Sequence, residues 1–587
     1  MRTRLQIEYH RLLAWCEVAQ LVEHKDGEDL PDSLNAERFV LVAILTEIRS
    51  LMEDFADING RYVQLRPDKG LGAEEDAIES KLVEEVKEIS LSYEKRAAEK
   101  KYPRGTNHIA CATIRVAAMA KEIVKNPRCR KWIAFDENVF ISLLKRLTEL
   151  NDYLHDLMHG YQARELEKMT HMAYLEMVQV RTSVENLNHL VTAAMLLGDW
   201  SLEQSPHGDT RRRADKALAS LAKFKILRAA NDAPAGQKPP EYDSIMNSTR
   251  LEYADVQYDA QDLLDTSPAE RGRVTGKFYC KDHPERHVWI EWKTYKSRHD
   301  SRLKKDVPVV GHVKRVKELV ALLQSEKPEE FCTPRCLGYF DDRDDSENSI
   351  HDQRFGLVFE KPDQADIGRA PISLEYLIRN KPTPSLTERI ALAHKIATCV
   401  LYFHAVNWLY KSLRSDSVIF FSRDKETLFT HPYLSGFEYA RPDRAGETTS
   451  GGDLQERLEL YVHPDYQGWN ARGSYRKTFD IYSLGIIFLE IAYWKPIEAI
   501  IGIDPENATS EDLRSIRHRL LNSQSEYLRH VGASVGERYH DAVRCCIVGR
   551  KAFGIGDEED EKSIDTGTKL QEGFTRLVVG ALEGISL

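Results

Sequence analysis

From residue 1 to about 230 the apolar positions recur at three- and four-residue steps, which predicts helices with little strand. Leu5, Tyr9, Leu12 and Cys16 fall on one face of a first helix with Trp15 beside it, until Asp26-Gly27 and Pro31 break the pattern. Phe39, Val42, Leu45, Ile48, Met52 and Phe55 make a second stripe, ended by Gly60 and Pro67. A charged segment, Ala73 to Lys101, carries Leu82, Val86 and Ile89 on one side. The strongest stripe is Phe140, Leu143, Leu144, Leu147, Leu150, Leu154 and Leu157; Met172, Leu175, Val178, Leu187, Val191 and Met195 predict one long helix after it. Such stripes are core, and together they predict an antiparallel helical bundle.

Between Pro206 and Tyr253 the pattern weakens. Arg211-Arg-Arg213 with Leu218, Leu221, Phe224 and Leu227 predicts one more, basic helix, and Asn231 to Pro240 reads as a Pro/Gly linker. From about 255 the period changes. Val288–Lys293, Cys336–Phe340 and Phe355–Glu360 read as strands with a helix from Gly311 to Gln324, and helices dominate from Leu374 onward. The fold class is multidomain, α followed by α+β. The expected divisions are 1–200, a bundle; 201–254, a basic helix and linker; and 255–587, with a sheet-bearing part to about 362 and a helical part after it.

Composition narrows the function classes. A chain of 587 residues with 42% hydrophobic and 30% charged residues is ordinary globular material. Its net charge of −11 argues against nucleic acid as a partner. Nine cysteines are scattered; Cys332 and Cys336 lack the other half of a zinc site, Cys545-Cys546 reads as helix packing, and no metal site is expected. Reduced thiols in a cytoplasmic protein are the expectation. The charged start, Met1-Arg-Thr-Arg, is not a signal peptide, and the apolar run Ile481–Tyr493 is too short to span a bilayer and contains Glu490.

Leu5-Gln-Ile-Glu, Arg11-Leu-Leu-Ala-Trp15, Leu45-Thr-Glu-Ile48, Tyr62 and Lys131-Trp132-Ile-Ala-Phe135-Asp136 with Leu143, Leu144 and Leu147 carry a resemblance. Over about residues 1–195 the chain is similar to the HeLo, or prion-inhibition and propagation, domain of fungal cell-death and heterokaryon-incompatibility proteins. That family begins with a further apolar, glycine-containing helix thought to engage membranes. This chain starts at the Leu-x-Ile-Glu segment, so the resemblance implies a domain without that helix or a truncated start, and only peripheral membrane contact.

A second resemblance runs over 255–587. His404, Trp408 and the strand Val418–Phe421, then Leu434-Ser435-Gly436-Phe437-Glu438, His463-Pro464-Asp465 and Asp480-Ile-Tyr-Ser-Leu-Gly485 follow the order of landmarks in eukaryotic protein kinases. The resemblance implies a bilobal fold with lobes at 255–362 and 363–587. It puts Lys293 at the nucleotide lysine and Glu318 at its helix partner. Phe437, Pro464, Asp465, Asp480 and Gly485 keep structural roles, with the Asp480 carboxylate buttressing the catalytic loop. The glycine-rich loop is poorly matched by Gly272 and Gly276. The general-base position falls on Ser412, and the two metal-ligand positions on Ser417 and Gly436. A general base contributes about 3–5 kcal/mol of barrier lowering and a metal several more. Serine and glycine supply neither.

The expectation is therefore a pseudokinase: a non-catalytic signalling protein with weak, Mg²⁺-independent ATP binding. Protein partners and self-association through the bundle are expected. Two alternatives stay open: a divergent active kinase using Glu438 or Asp416, and a pure interaction scaffold.

Overall fold

A computed structural model describes residues 2–19, 44, 48, 137–158, 161–199, 208–232 and most of 238–585; its longest gaps in that last range are 259–272, 343–353 and 443–458. The chain divides into two compact units, Met1–Lys223 and Phe224–Leu587. Of the predicted stripe Phe39–Phe55, Ile48 is helical and buried, as is Ile44, which is not among its residues; the rest of the stripe, the segment Ala73–Lys101 and the motif at Trp132 lie outside the described residues.

In the first unit, α1 (Arg2–Val18) packs against α2 (Glu137–Asp156), α3 (Tyr161–Val180) and α4 (Val184–Asp199). The predicted stripe on α2 is core: Leu144, Leu147, Leu150 and Leu154 are each at most 1% exposed, worth about 1.5–3 kcal/mol apiece. Two expectations need correction. α1 does not bury one face only, because Ile7, Glu8, Arg11 and Ala14 are buried with Leu5, Tyr9, Leu12 and Trp15.

The charges on α1 are satisfied internally. Arg11 donates to Glu8 at 2.9 Å and to Asp152 of α2 at 2.8 Å, Asn151 donates to the Glu8 carboxylate at 2.8 Å, and Trp15 Nε1 donates to the Leu154 carbonyl at 2.7 Å. Arg11 is held charged beyond its ordinary range: burial opposes this, and Glu8 with Asp152 outweighs burial. The second correction is that the single helix expected over Met172–Met195 is two helices. Ser183 ends the connection by accepting the Asn186 N–H at 3.2 Å, while Arg181 turns back to the Met177 carbonyl and Gln6. Met195 is exposed, not core. The predicted basic helix is α5 (Gly208–Asp232), and the division between units falls within it.

The second unit opens with a five-stranded antiparallel sheet. β1 (Val256–Tyr258), β2 (Arg273–Cys280), β3 (His283–Thr294), β4 (Cys336–Asp341) and β5 (Arg354–Glu360) stand in the order β1-β2-β3-β5-β4. Val274, Val288, Ile290, Phe340 and Val358 build the core on one face, with Trp292 packed against it. Alternation then sets Trp289, Glu291 and Lys293 on the opposite face. α6 (Val310–Gln324) packs on β4.

The rest is mainly helical. α7 (Leu386–Ala405) begins at a capping box in which Ser385 and Glu388 each accept the other's N–H, at 3.2 and 2.9 Å. Short strands β6 (Ile372–Ser373), β7 (Val418–Phe420) and β8 (Tyr433–Leu434) pair with β7 in the middle. α8 (Lys477–Tyr493) is apolar on all sides and buried from Lys477 to Ala492, so it forms the centre of this region. α9 (Glu537–Val548) packs on it at Gly485, where an added Cβ would lie 2.8 Å from Ile547 Cδ1 and 2.9 Å from Cys546 Cβ. Among the described residues no helix is long and apolar enough to cross a membrane.

Candidate functional site

His404 and Asp480, both singled out by sequence, meet at the loop between α7 and β7. Asn407 and Lys411 have φ of 55° and 69°, left-handed values that side chains seldom adopt, so the loop needs outside support. Asp480, in the first turn of α8 and fully buried, supplies it. Its carboxylate accepts the backbone N–H of Tyr410 at 2.9 Å and of Lys411 at 2.8 Å, and the Tyr475 hydroxyl at 2.8 Å; His404 Nε2 lies 3.3 Å away. Burial lowers the His404 pKa, against the pull of Asp480. Lys477 adds hydrogen bonds to the His404 carbonyl and to Asn407 Oδ1 at 2.7 and 2.8 Å. Ser412, the position assigned to the general base, lies outside the described residues, as do Gly272 and Glu438.

The other two degenerate positions sit side by side. Ser417 is fully buried, and its carbonyl accepts the Ser435 N–H at 2.9 Å. Gly436 follows with φ of +77°, and an added Cβ would lie 3.4 Å from Ser417 Oγ. Phe437 is buried, packing against Tyr410 and Phe403 at ring-centroid distances of 5.4 and 6.3 Å.

A network that sequence reasoning missed fills the space above this turn. Arg273 opens β2 opposite Glu291 of β3. Its guanidinium donates to Glu291 Oε1 at 3.2 Å, to Asp416 Oδ1 at 3.3 Å, to the Asp416 carbonyl at 2.9 Å and to Ser435 Oγ at 2.7 Å. Glu291 in turn accepts the Gly436 N–H, at 3.0 and 3.2 Å from its two oxygens. Arg414 donates to Asp416 Oδ2 at 3.1 Å. Burial would raise the Asp416 pKa, yet Arg273 and Arg414 hold it below the ordinary range. The opposite charges at 273 and 291 are visible in the sequence, but only the strand register makes them neighbours.

Lys293 lies on β3 opposite Phe355, half-buried, on the same face as Glu291. Glu318 is buried on α6, with Lys314 one turn earlier at 3.7 Å. Among the described residues, Glu291 and Asp416 are the carboxylates beside the Gly436 turn, and both bond to Arg273.

Further along, His463 caps a 3₁₀ turn over Pro464–Tyr466 by accepting the Asp465 N–H at 3.1 Å, and its ring stacks on Phe479 at 4.6 Å. Burial pushes its pKa down to about 4, while the Asp465 side chain is exposed. Glu490 is fully buried in α8, where it accepts the Tyr461 hydroxyl at 2.8 Å and the Ile497 N–H at 2.9 Å. Burial pushes its carboxyl up to about 8, so it is neutral at pH 7. The Tyr461 hydroxyl also lies 2.9 Å from Ser415 Oγ, which joins α8 to the turn carrying Asp416.

Residues 339–583 match the family model of a domain of unknown function, DUF7580. No curated protein matches the chain. Residues 1–190 match the HeLo family model, described as prion-inhibition and propagation, so the N-terminal third of the chain is similar to that family.

Proposed function

We propose that this chain is a non-catalytic regulatory protein in which a HeLo-type helical domain is coupled to a kinase-like domain that has lost phosphoryl transfer. The HeLo match supports a cell-death or incompatibility-type regulatory role. The kinase-like half of the reading is supported by the order of an antiparallel sheet, one long helix and a helical region, and by the clamp of Asp480 on Tyr410 and Lys411. In this reading the kinase-like domain restrains the helical domain, and a trigger frees the latter for protein partners, further copies of the chain among them.

The observation that carries the loss of catalysis is Arg273. Mg²⁺ is held in an octahedral shell of oxygens, usually with one or two carboxylates. Here Glu291 and Asp416 converge on a buried guanidinium, and Gly436 presents an N–H where the resemblance requires an anion. A metal entering this space would have to displace a cation already paired. Lys293 and Glu318 remain as the groups for weak, Mg²⁺-independent ATP binding.

The test is the unfolding temperature of the full chain with ATP, with and without Mg²⁺. The expected result is that Mg²⁺ adds nothing to any stabilisation ATP gives, and that Lys293→Ala removes that stabilisation. A Mg²⁺-dependent rise that Asp416→Asn abolishes would overturn the reading.

A further inference from the structure

Two cysteines distant in sequence come together where a 3₁₀ turn packs on α7. Cys332 follows the 3₁₀ turn Glu329–Phe331 and takes a left-handed backbone conformation with φ of 46°. Cys399 lies in the middle of α7, fully buried. The Cys399 S–H donates to the carbonyl of Phe331 at 2.7 Å, the oxygen of the peptide that joins Phe331 to Cys332, and the two thiols interact electrostatically. That hydrogen bond, and the packing of the turn on α7, hold the Cys399 sulfur against the segment that carries Cys332. We propose that Cys332 and Cys399 are a redox modification site, closing to a disulfide under a peroxide-class oxidant and reopening under a dithiol reductant.

The two thiols are unequal in the way such chemistry needs. Its neighbour Cys399 holds Cys332 below the ordinary thiol range against the effect of burial, with the Lys395 charge acting in the same direction. Burial drives Cys399 well above that range. Cys332 is also the more accessible of the two, being half-buried. It is therefore the attacking thiolate, and Cys399 is the resolving thiol.

In the first step the Cys332 thiolate attacks one oxygen of hydrogen peroxide. The S–O bond forms, the O–O bond breaks, and the departing hydroxide takes a proton to become water. In the second step the Cys399 sulfur attacks the Cys332 sulfenic acid. The S–S bond forms, the S–O bond breaks, and the hydroxyl leaves as water with the Cys399 proton. Two thiols and one peroxide give one disulfide and two waters, with two electrons passing to the peroxide.

The bond would reach the site described above. The Cys332 carbonyl accepts the Leu434 N–H at 2.6 Å, two residues before Gly436, and Phe331 packs on Phe403 at 5.1 Å. Oxidation thus fastens α7 to the segment that leads into Ser435-Gly436. It also closes a long loop in the unfolded chain, which stabilises the folded one.

The experiment oxidises the reduced full chain with stoichiometric hydrogen peroxide, blocks remaining thiols with N-ethylmaleimide and maps peptides without reduction by mass spectrometry. The expected result is a linked peptide pair containing Cys332 and Cys399 that dithiothreitol dissolves. Cys399→Ser should leave Cys332 as a sulfenic acid trapped by dimedone, and Cys332→Ser should leave Cys399 a free thiol. Oxidised wild type should also unfold at a higher temperature than oxidised Cys332→Ser. Wild-type protein in which both thiols stay alkylatable, Cys332 over-oxidises without a link, or Cys332 links to Cys336 would overturn the proposal.

Discussion

Arg273 and Asp416 stand 143 residues apart in sequence, yet the guanidinium of one donates to both the side chain and the main-chain carbonyl of the other, at 3.3 and 2.9 Å. The pair ties the first residue of β2 to the turn before β7. Removing one partner of a buried ion pair leaves the other charge uncompensated. Arg273→Ala is expected to destabilise the full chain by about 3–5 kcal/mol in chemical denaturation, Arg273→Lys by less. An alanine variant as stable as wild type would mean that the network carries no net stability.

Gly436 adopts φ of +77° and faces Glu291. Restoring an aspartate there strains the backbone by about 1–2 kcal/mol and sets a second carboxylate beside Glu291. Gly436→Asp should therefore lower stability and leave it unresponsive to Mg²⁺ in thermal unfolding. Recovery of stability on adding Mg²⁺ would show a metal site that needed only its anion.

Glu490 keeps its proton up to about pH 8 when folded, against an ordinary value of 4.5. Between those values the folded chain holds more protons than the unfolded one, so stability falls as pH rises, by at most about 1.4 kcal/mol per pH unit. His463 acts in the opposite direction at lower pH. Its pKa is about 4 when folded and 6.5 ordinarily, so its contribution is lost as pH falls from 6.5 to 4. Glu490→Gln should flatten the fall between pH 6.5 and 8 and, between pH 4.5 and 6.5, leave the rise of stability with pH that His463 gives unopposed, as read from denaturation midpoints. Equal slopes in the two proteins would contradict a neutral buried Glu490.

At Gly485 the axes of α8 and α9 approach until an added methyl group would overlap Ile547 and Cys546. Gly485→Ala is expected to cost about 1–3 kcal/mol by overpacking. Gly502, with no atom near its missing Cβ but φ of +67°, is the comparison: there an alanine is penalised by backbone strain alone. A neutral Gly485→Ala would remove the packing argument for that glycine.

How much of this was legible in sequence depends on the range of the forces involved. The leucine stripe of α2, the strands at 288 and 355, and the helix over 310–324 follow from periodicity, because burial on one face imposes it. The break at Arg181–Ser183 was missed because its stop is a serine cap, with neither glycine nor proline to mark it. The burial of α1 on all sides was missed because Glu8 and Arg11 look solvent-facing until Asn151 and Asp152 of a helix some 140 residues away satisfy them. Position 480 could be marked as an acid at the head of an apolar helix, but its three hydrogen-bond donors could not be counted. Asp416 could be named as an acid near the loop, but its meeting with Arg273 depends on strand register and on the turn at 415–417, which are set only when the whole region packs.

The most direct measurement of the central claim is phosphoryl transfer itself. Purified full-length protein is incubated with Mg²⁺–ATP, alone and with a general protein substrate, and products are read by phosphate-specific mass spectrometry. No phosphorylation above an ATP-free control is predicted. Phosphorylated protein that disappears in Lys293→Ala would contradict the account.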